Sequence, residues 1–183
     1  SLVVMAGAEL FTGNNLVMTA ASLRKTVTWA DTAKLWVVCW IGNLVGSLLC
    51  VGAFQLTGIP TASDGAVADY FIKISTGKVT LGPVELITRA ILCNILVCLA
   101  VWCGTKLKSE SGKLIMIFWC ILVFMVCGFE HSIANMSILG VGLVNGGITV
   151  GQYCYSVLLA TVGNMIGGAI FVALPYHLIS KEK

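Results

Sequence analysis

Apolar residues run along this chain in stretches far longer than a soluble core helix, and polar residues interrupt them at a few defined places. Trp36 to Leu56, Pro83 to Trp102 and about Gln152 to Leu174 each reach the roughly 20 residues that a helix needs to cross the hydrocarbon of a bilayer. Two shorter apolar runs, Leu114 to Val126 and Met136 to Val144, read as one spanning segment broken by Gly128-Phe129-Glu130-His131-Ser132-Ile133-Ala134-Asn135. A carboxylate and an imidazole inside such a segment are costly in lipid and normally face a cavity, a partner or a path, so they are functional candidates. Near the start, Leu2 to Ala8 reads as the tail of an apolar segment. Thr12-Gly13-Asn14-Asn15 is expected to break and recap a helix, with a half-helix following from Leu16 to Leu23. Gly58, Pro60, Ser63, Asp64 and Gly65 mark turns in a polar connection from Thr57 to Thr80, within which Asp69 to Ser75 predicts a short interfacial helix. Pro83 suits a first helical turn, Glu85 and Arg89 form an i,i+4 pair, and Pro175 predicts a stop to the last span.

The punctuation repeats. Gly7-Ala8-Glu9-Leu10-Phe11-Thr12-Gly13-Asn14 shares the frame Gly-x-Glu-x-x-x-x-Asn with Gly128 to Asn135, at an offset of 121 residues (128 − 7). Gly42-Asn43-Leu44-Val45-Gly46 and Gly163-Asn164-Met165-Ile166-Gly167 share Gly-Asn-x-x-Gly at the same offset (163 − 42). Internal repeats with broken helices at matching positions are the signature of transport folds whose site lies at the repeat interface. Shifting 83–102 back by the offset gives −38 to −19, so the reading expects a longer parent chain of six helices, lacking here its first helix and part of its second. Three-helix units have an odd number of spans, so the two repeats are expected to be inverted.

Composition agrees with a membrane protein: 58% of the residues are hydrophobic and 10% charged. The net charge of +3 is too small to argue for nucleic acid. Its distribution says more. Arg24, Lys25, Lys34, Lys106, Lys108, Lys113, Lys181 and Lys183 fall on one side if the helices alternate, leaving only Lys73, Lys78 and Arg89 of the 11 basic residues for the other. The positive-inside rule makes the first side cytoplasmic, the C-terminus included. The eight cysteines lie within or at the ends of apolar runs with no Cys-x-x-Cys, and read as small packing residues rather than metal ligands. Trp29, Trp36, Trp40, Trp102 and Trp119 include expected interface anchors, and His177 an interfacial histidine.

These motifs, together with Leu92-Cys93-Asn94-Ile95-Leu96-Val97-Cys98-Leu99-Ala100-Val101-Trp102 and above all the string Glu130-His131-Ser132-Ile133-Ala134-Asn135, resemble the formate/nitrite transporter family. The resemblance covers the whole chain and implies an all-α integral membrane protein, with aquaporin-like inverted three-helix repeats, two broken helices and one pore in each subunit of a homopentamer. On that reading residues 1–183 form a single transmembrane channel domain, with 1–56 the remainder of the first repeat, 57–82 an outer connection and 83–183 the second repeat. Leu10 is implied at the cytoplasmic constriction, Phe11 and Thr12 in the loop interrupting the second helix, and Phe124 with Val97 at the opposite constriction. His131 is implied as the central pore residue with Thr12 as its hydroxyl partner, Asn94 beside the pore, and Lys78 in the outer vestibule. Without the resemblance, Phe124 reads as helix packing and Lys78 as a solvated loop lysine.

Physical reasoning points the same way. Half-helices restarting near Asn14 and Asn135 aim unpaired N–H groups at the midplane and favour an anion there. Leu10 and Phe124 as apolar gates exclude hydrated cations, and His131 offers a hydrogen-bond donor or a titratable proton. Glu9, Asn14, Glu130 and Asn135 are expected to hold the broken loops, with Glu130 pointing away from the anion path and capping backbone groups. The expected cargo is a small monovalent weak-acid anion, formate, nitrite or hydrosulfide, with protons as a second partner if His131 titrates, and no cofactor, metal or catalytic residue is called for. A neutral-solute channel is the alternative within the same class. A haem or redox subunit using His131 and His177 is a further one, weakened by their 46-residue separation (177 − 131) across the membrane.

Overall fold

The computed structural model describes residue 3 and residues 6–181. Ser1, Leu2, Val4 and Met5 of the first apolar segment, and Glu182 and Lys183 of the tail, lie outside the described residues. Helices follow one another as α1 (Phe11–Leu23), α2 (Trp29–Leu56), α3 (Ala66–Val79), α4 (Pro83–Lys106), α5 (Glu110–Val126), α6 (Ser132–Val144), α7 (Val150–Gly168) and α8 (Leu174–Lys181), and no strand occurs among the described residues. Among those residues α2, α4 and the run Val150–Ser180 are long and apolar enough to cross a membrane. The outer face of α2 exposes Val37, Val38, Ile41, Val45, Leu48 and Leu49, which suits lipid or a neighbouring subunit rather than water.

Two spans begin earlier than their hydrophobicity predicts, because capping boxes extend them. Thr28 with Asp31 opens α2 and Thr149 with Gln152 opens α7, each threonine accepting an N–H three residues on while the N3 side chain returns to the threonine backbone. The expected interfacial helix is longer than Asp69 to Ser75 and packs against α6. Pro175 does not stop the last span. A π-helical turn, Ala169–Ala173, precedes it and α8 continues through it, since the loosened turn removes the ladder bond that the proline could not make.

α4 is the central strut, lying against α5 on one side and α7 on the other. Small residues set that second contact. A Cβ on Gly163 would stand 2.6 Å from the Cβ of Ala90 and 2.7 Å from the carbonyl oxygen of Ile87, and one on Gly168 would stand 2.8 Å from Nδ2 of Asn94. Close backbone approach of this kind is what holds helices together where lipid removes the hydrophobic drive between them.

The repeat is visible residue by residue. α1 and α6 both have 13 residues and both follow an extended residue, Leu10 (φ −118°, ψ 120°) and His131 (φ −102°, ψ 114°). Gly7 (φ 69°) and Gly128 (φ 66°) turn the chain before each break, and Lys25 (φ 58°) and Gly146 (φ 77°) turn it after each half-helix. Trp40 Nε1 donates to Thr161 Oγ1 at 3.0 Å, a bond between positions 121 apart, as expected beside a local two-fold axis.

Candidate functional site

The first break lies earlier than Thr12 to Asn15, which are the opening turn of α1; the extended residues are Ala8 to Leu10. Asn14 does not break the helix. Its Nδ2 reaches back to Glu9 Oε2 at 2.6 Å and ties the incoming segment to the first turn. Asn135 does the same for the second break, donating to Glu130 Oε2 at 2.7 Å. Glu130 therefore holds its loop through the Asn135 side chain rather than by accepting backbone N–H groups.

The backbone groups freed at each break are satisfied from another helix. Asn43 Oδ1 accepts the Phe11 N–H at 3.0 Å while its Nδ2 donates to the Glu9 carbonyl at 3.0 Å. Asn164 repeats this on the other side, Oδ1 accepting the Ser132 N–H at 2.8 Å and Nδ2 donating to the Glu130 carbonyl at 3.0 Å. Non-helical backbone at membrane depth is tolerated only with such partners. The two Gly-Asn-x-x-Gly motifs, read in sequence as a second repeated motif, are thus the clamps of the two breaks. Their shared offset with the break motifs was the signal.

His131 stands at the start of α6 and caps it: Nδ1 accepts the Ala134 N–H at 3.1 Å. With Nδ1 occupied as an acceptor, the proton of an uncharged ring sits on Nε2, which lies 3.1 Å from Thr12 Oγ1. Thr12 is fully buried in the first turn of α1, so this contact joins that turn to the cap of α6. Phe124 stacks on the imidazole, ring centroids 5.6 Å apart and planes 20° from parallel. Val97 and Phe124 share an apolar cluster with Cys93, against which Leu10, Leu96, Ile121 and Phe129 pack. The expected gate residues Leu10, Val97 and Phe124 are therefore brought into one apolar cluster, and Phe124 joins it to the histidine. Phe11 turns away from them into a groove beside Trp36, Trp40 and Met165.

Glu130 is 1% exposed and pairs through Oε1 with Lys78 Nζ at 2.9 Å. The sequence reading had Lys78 as a free vestibule charge; in the structure a neighbouring carboxylate balances it, which answers the cost of burying either ion alone. Arg89 is likewise paired, with Glu85. Asn94 is fully buried, its Nδ2 donating to the Asn164 carbonyl at 2.6 Å, so it supports the clamp directly. Trp36 and Trp40 are not simple interface anchors, because their indole N–H groups bond the Asn14 carbonyl and Thr161. His177 is buried within the protein.

The family model for formate/nitrite transporters matches residues 1–178. This chain belongs to the formate/nitrite transporter family. It is 40% identical over 189 aligned residues to a probable formate transporter of Methanothermobacter thermautotrophicus, an alignment covering 96% of this chain and 69% of that protein. Its fold matches a solved FNT family ion channel with a TM-score of 0.85 and 30% identity over 97% of this chain and 72% of the other. A pentameric formate channel solved with formate bound matches with a TM-score of 0.80 and 26% identity, over 98% of this chain and 78% of that one. The protein is accordingly an all-α membrane transporter of this family, with two broken helices in inverted repeats.

Proposed function

We propose that this protein conducts small monovalent anions of weak acids, formate, nitrite or hydrosulfide, through one pore per subunit of a homopentamer in the cell membrane, with the C-terminus on the cytoplasmic side. The observation that carries the proposal is the Thr12–His131 contact, which joins two half-helix N-termini beside the apolar cluster of Leu10, Val97 and Phe124. Two helix N-termini favour negative charge at the point where they converge. The apolar side chains on either side make hydrated cations costly and let a small, weakly hydrated anion pass. If Nε2 donates to Thr12, the threonine hydroxyl is left with a proton to offer the anion, so the histidine acts by orienting the hydroxyl.

A proton-linked mode asks more of the ring. A second proton on Nδ1 has to displace the Ala134 N–H and open the cap of α6, so the geometry favours the hydrogen-bonding role over proton donation. Proteoliposomes loaded with each anion in turn test the proposal: saturable anion flux, lowered roughly tenfold in His131→Leu and retained in His131→Asn, is the expected result. Flux of water or glycerol without anion flux would replace it with the neutral-solute reading. A pH profile that flattens between about pH 5 and 8 in His131→Asn would restore the proton-linked mode.

A further inference from the structure

α1 carries a buried polar stripe that its repeat counterpart lacks. Thr12, Asn15, Thr19 and Ser22 are spaced by three, four and three residues, which puts them on one face of the helix, and each is at most 5% exposed. The positions 121 residues further on, along α6, are Ile133, Met136, Gly140 and Leu143, of which Ile133, Met136 and Leu143 pack in one apolar cluster. The shared backbone therefore does not require polar groups there. Serine and threonine in membrane helices commonly bond back to a carbonyl of their own preceding turn. Thr19 Oγ1 and both amide atoms of Asn15 instead have no hydrogen-bond partner among the described residues, and neither has Oδ1 of Asn94, which lies beside Asn15 against Gly168. Buried polar atoms of this kind are held by internal water.

At its inner end the stripe meets the site, Thr12 Oγ1 lying 3.1 Å from His131 Nε2. At its outer end Ser22 Oγ and Thr32 Oγ1 of α2 lie 2.6 Å apart, and Ser22 lines a cavity of about 650 Å³ together with the exposed Lys25, Trp29 and Asp31. We infer that the stripe is a proton-delivery route from that cavity to Thr12, separate from the anion path past Leu10. The inference rests on the anion-channel reading above. Asn15 passes no proton itself; its amide, like that of Asn94, holds water in line. The hydroxyl oxygens of Ser22, Thr19 and Thr12 each accept a proton from the cavity side while releasing their own inward. At the inner end the Thr12 O–H proton moves to the anion as the next proton arrives from the Thr19 side, so one anion and one proton from the cavity become one neutral acid, and the threonine ends as it began. His131 stays uncharged throughout, with Nε2 on Thr12 and Nδ1 on the cap of α6. The neutral acid then crosses the apolar cluster at a lower desolvation cost than its anion.

The test is formate flux through the full-length protein in proteoliposomes, with proton uptake recorded at the same time and the membrane potential clamped by potassium and valinomycin. In wild type one proton is expected to accompany each formate. Asn15→Leu/Thr19→Val, which keeps the shapes and removes the polar atoms, is expected to lose that proton uptake while formate still moves as net charge. Ser22→Ala/Thr32→Val cuts the route at its mouth and is expected to do the same, so the inference is read from it where the deeper variant does not fold. Thr19→Ser, which keeps the hydroxyl, is expected to retain the coupling. A proton-to-formate ratio unchanged in the apolar variants, whatever their flux, or lost equally in Thr19→Ser, overturns the inference, as does formate flux without proton uptake in wild type; each leaves anion conduction intact. Absence of any anion flux in wild type overturns the channel reading instead.

Discussion

The two helix breaks share a backbone and differ in chemistry. Each has an extended residue before a 13-residue helix, an asparagine clamp from a distant helix, and a Glu-Asn tie across five residues. Leu10 stands where His131 stands in the second copy; it has no polar atom to cap α1 and contributes only apolar surface, whereas His131 caps α6 and reaches Thr12. Glu9 is exposed and pairs with no cation among the described residues, whereas Glu130 is buried and paired with Lys78. The comparison teaches that the repeat supplies the geometry twice, and that substitutions at equivalent positions leave only apolar surface at one break and a polar cap at the other.

The largest expected effect separates the two carboxylates. Lys78→Met strands Glu130 in the interior and is expected to cost about 3–5 kcal/mol, with Lys78→Met/Glu130→Gln recovering most of it. Glu9→Gln is expected to fall within about 0.5 kcal/mol of wild type, as exposed substitutions do. Thermal unfolding of the detergent-solubilised protein reads all three, and a Lys78→Met variant as stable as wild type would erase the distinction between the breaks.

Next come the clamps. Asn164→Ala leaves the buried Ser132 N–H and Glu130 carbonyl without the partners they have and is expected to cost about 3–4 kcal/mol, whereas Asn43→Ala, at a half-buried position, is expected to cost about 1–2 kcal/mol. Equal losses would mean that the two breaks are equally sealed from solvent. The His131 position gives a smaller effect, read in flux beside the about 1 kcal/mol of stability that loss of the α6 cap costs. His131→Leu, which copies the first break onto the second, is expected to lower anion flux by roughly tenfold, equivalent to about 1.4 kcal/mol in barrier height. Retention of flux by that variant would show that Leu10 and His131 are interchangeable. The smallest effect tests the axis between the copies: Trp40→Phe removes the bond to Thr161 and is expected to cost about 1 kcal/mol in the same unfolding assay, with no change in flux. A flux defect there would tie the axis to the pore.

What the sequence determined by itself was the membrane character, the positions of the breaks to within a few residues, and the repeat, because long apolar runs and their Gly and Asn punctuation are local features that survive without knowledge of partners. Two capping boxes, Thr28 to Asp31 and Thr149 to Gln152, were equally local and readable, and they explain why α2 and α7 start early. Tertiary structure alone decided the rest. Asn43 and Asn164 became clamps only because the helices carrying them pass the freed N–H groups of Phe11 and Ser132. Lys78 became the partner of Glu130 across 52 positions, and so lost the free charge that its place in a loop suggested. The Nδ1 atom of His131 became a cap, and Pro175 was carried through by a π turn rather than ending a helix. In each case a buried polar group or a missing donor had to be satisfied, and which distant group satisfies it is set by packing that no local pattern contains.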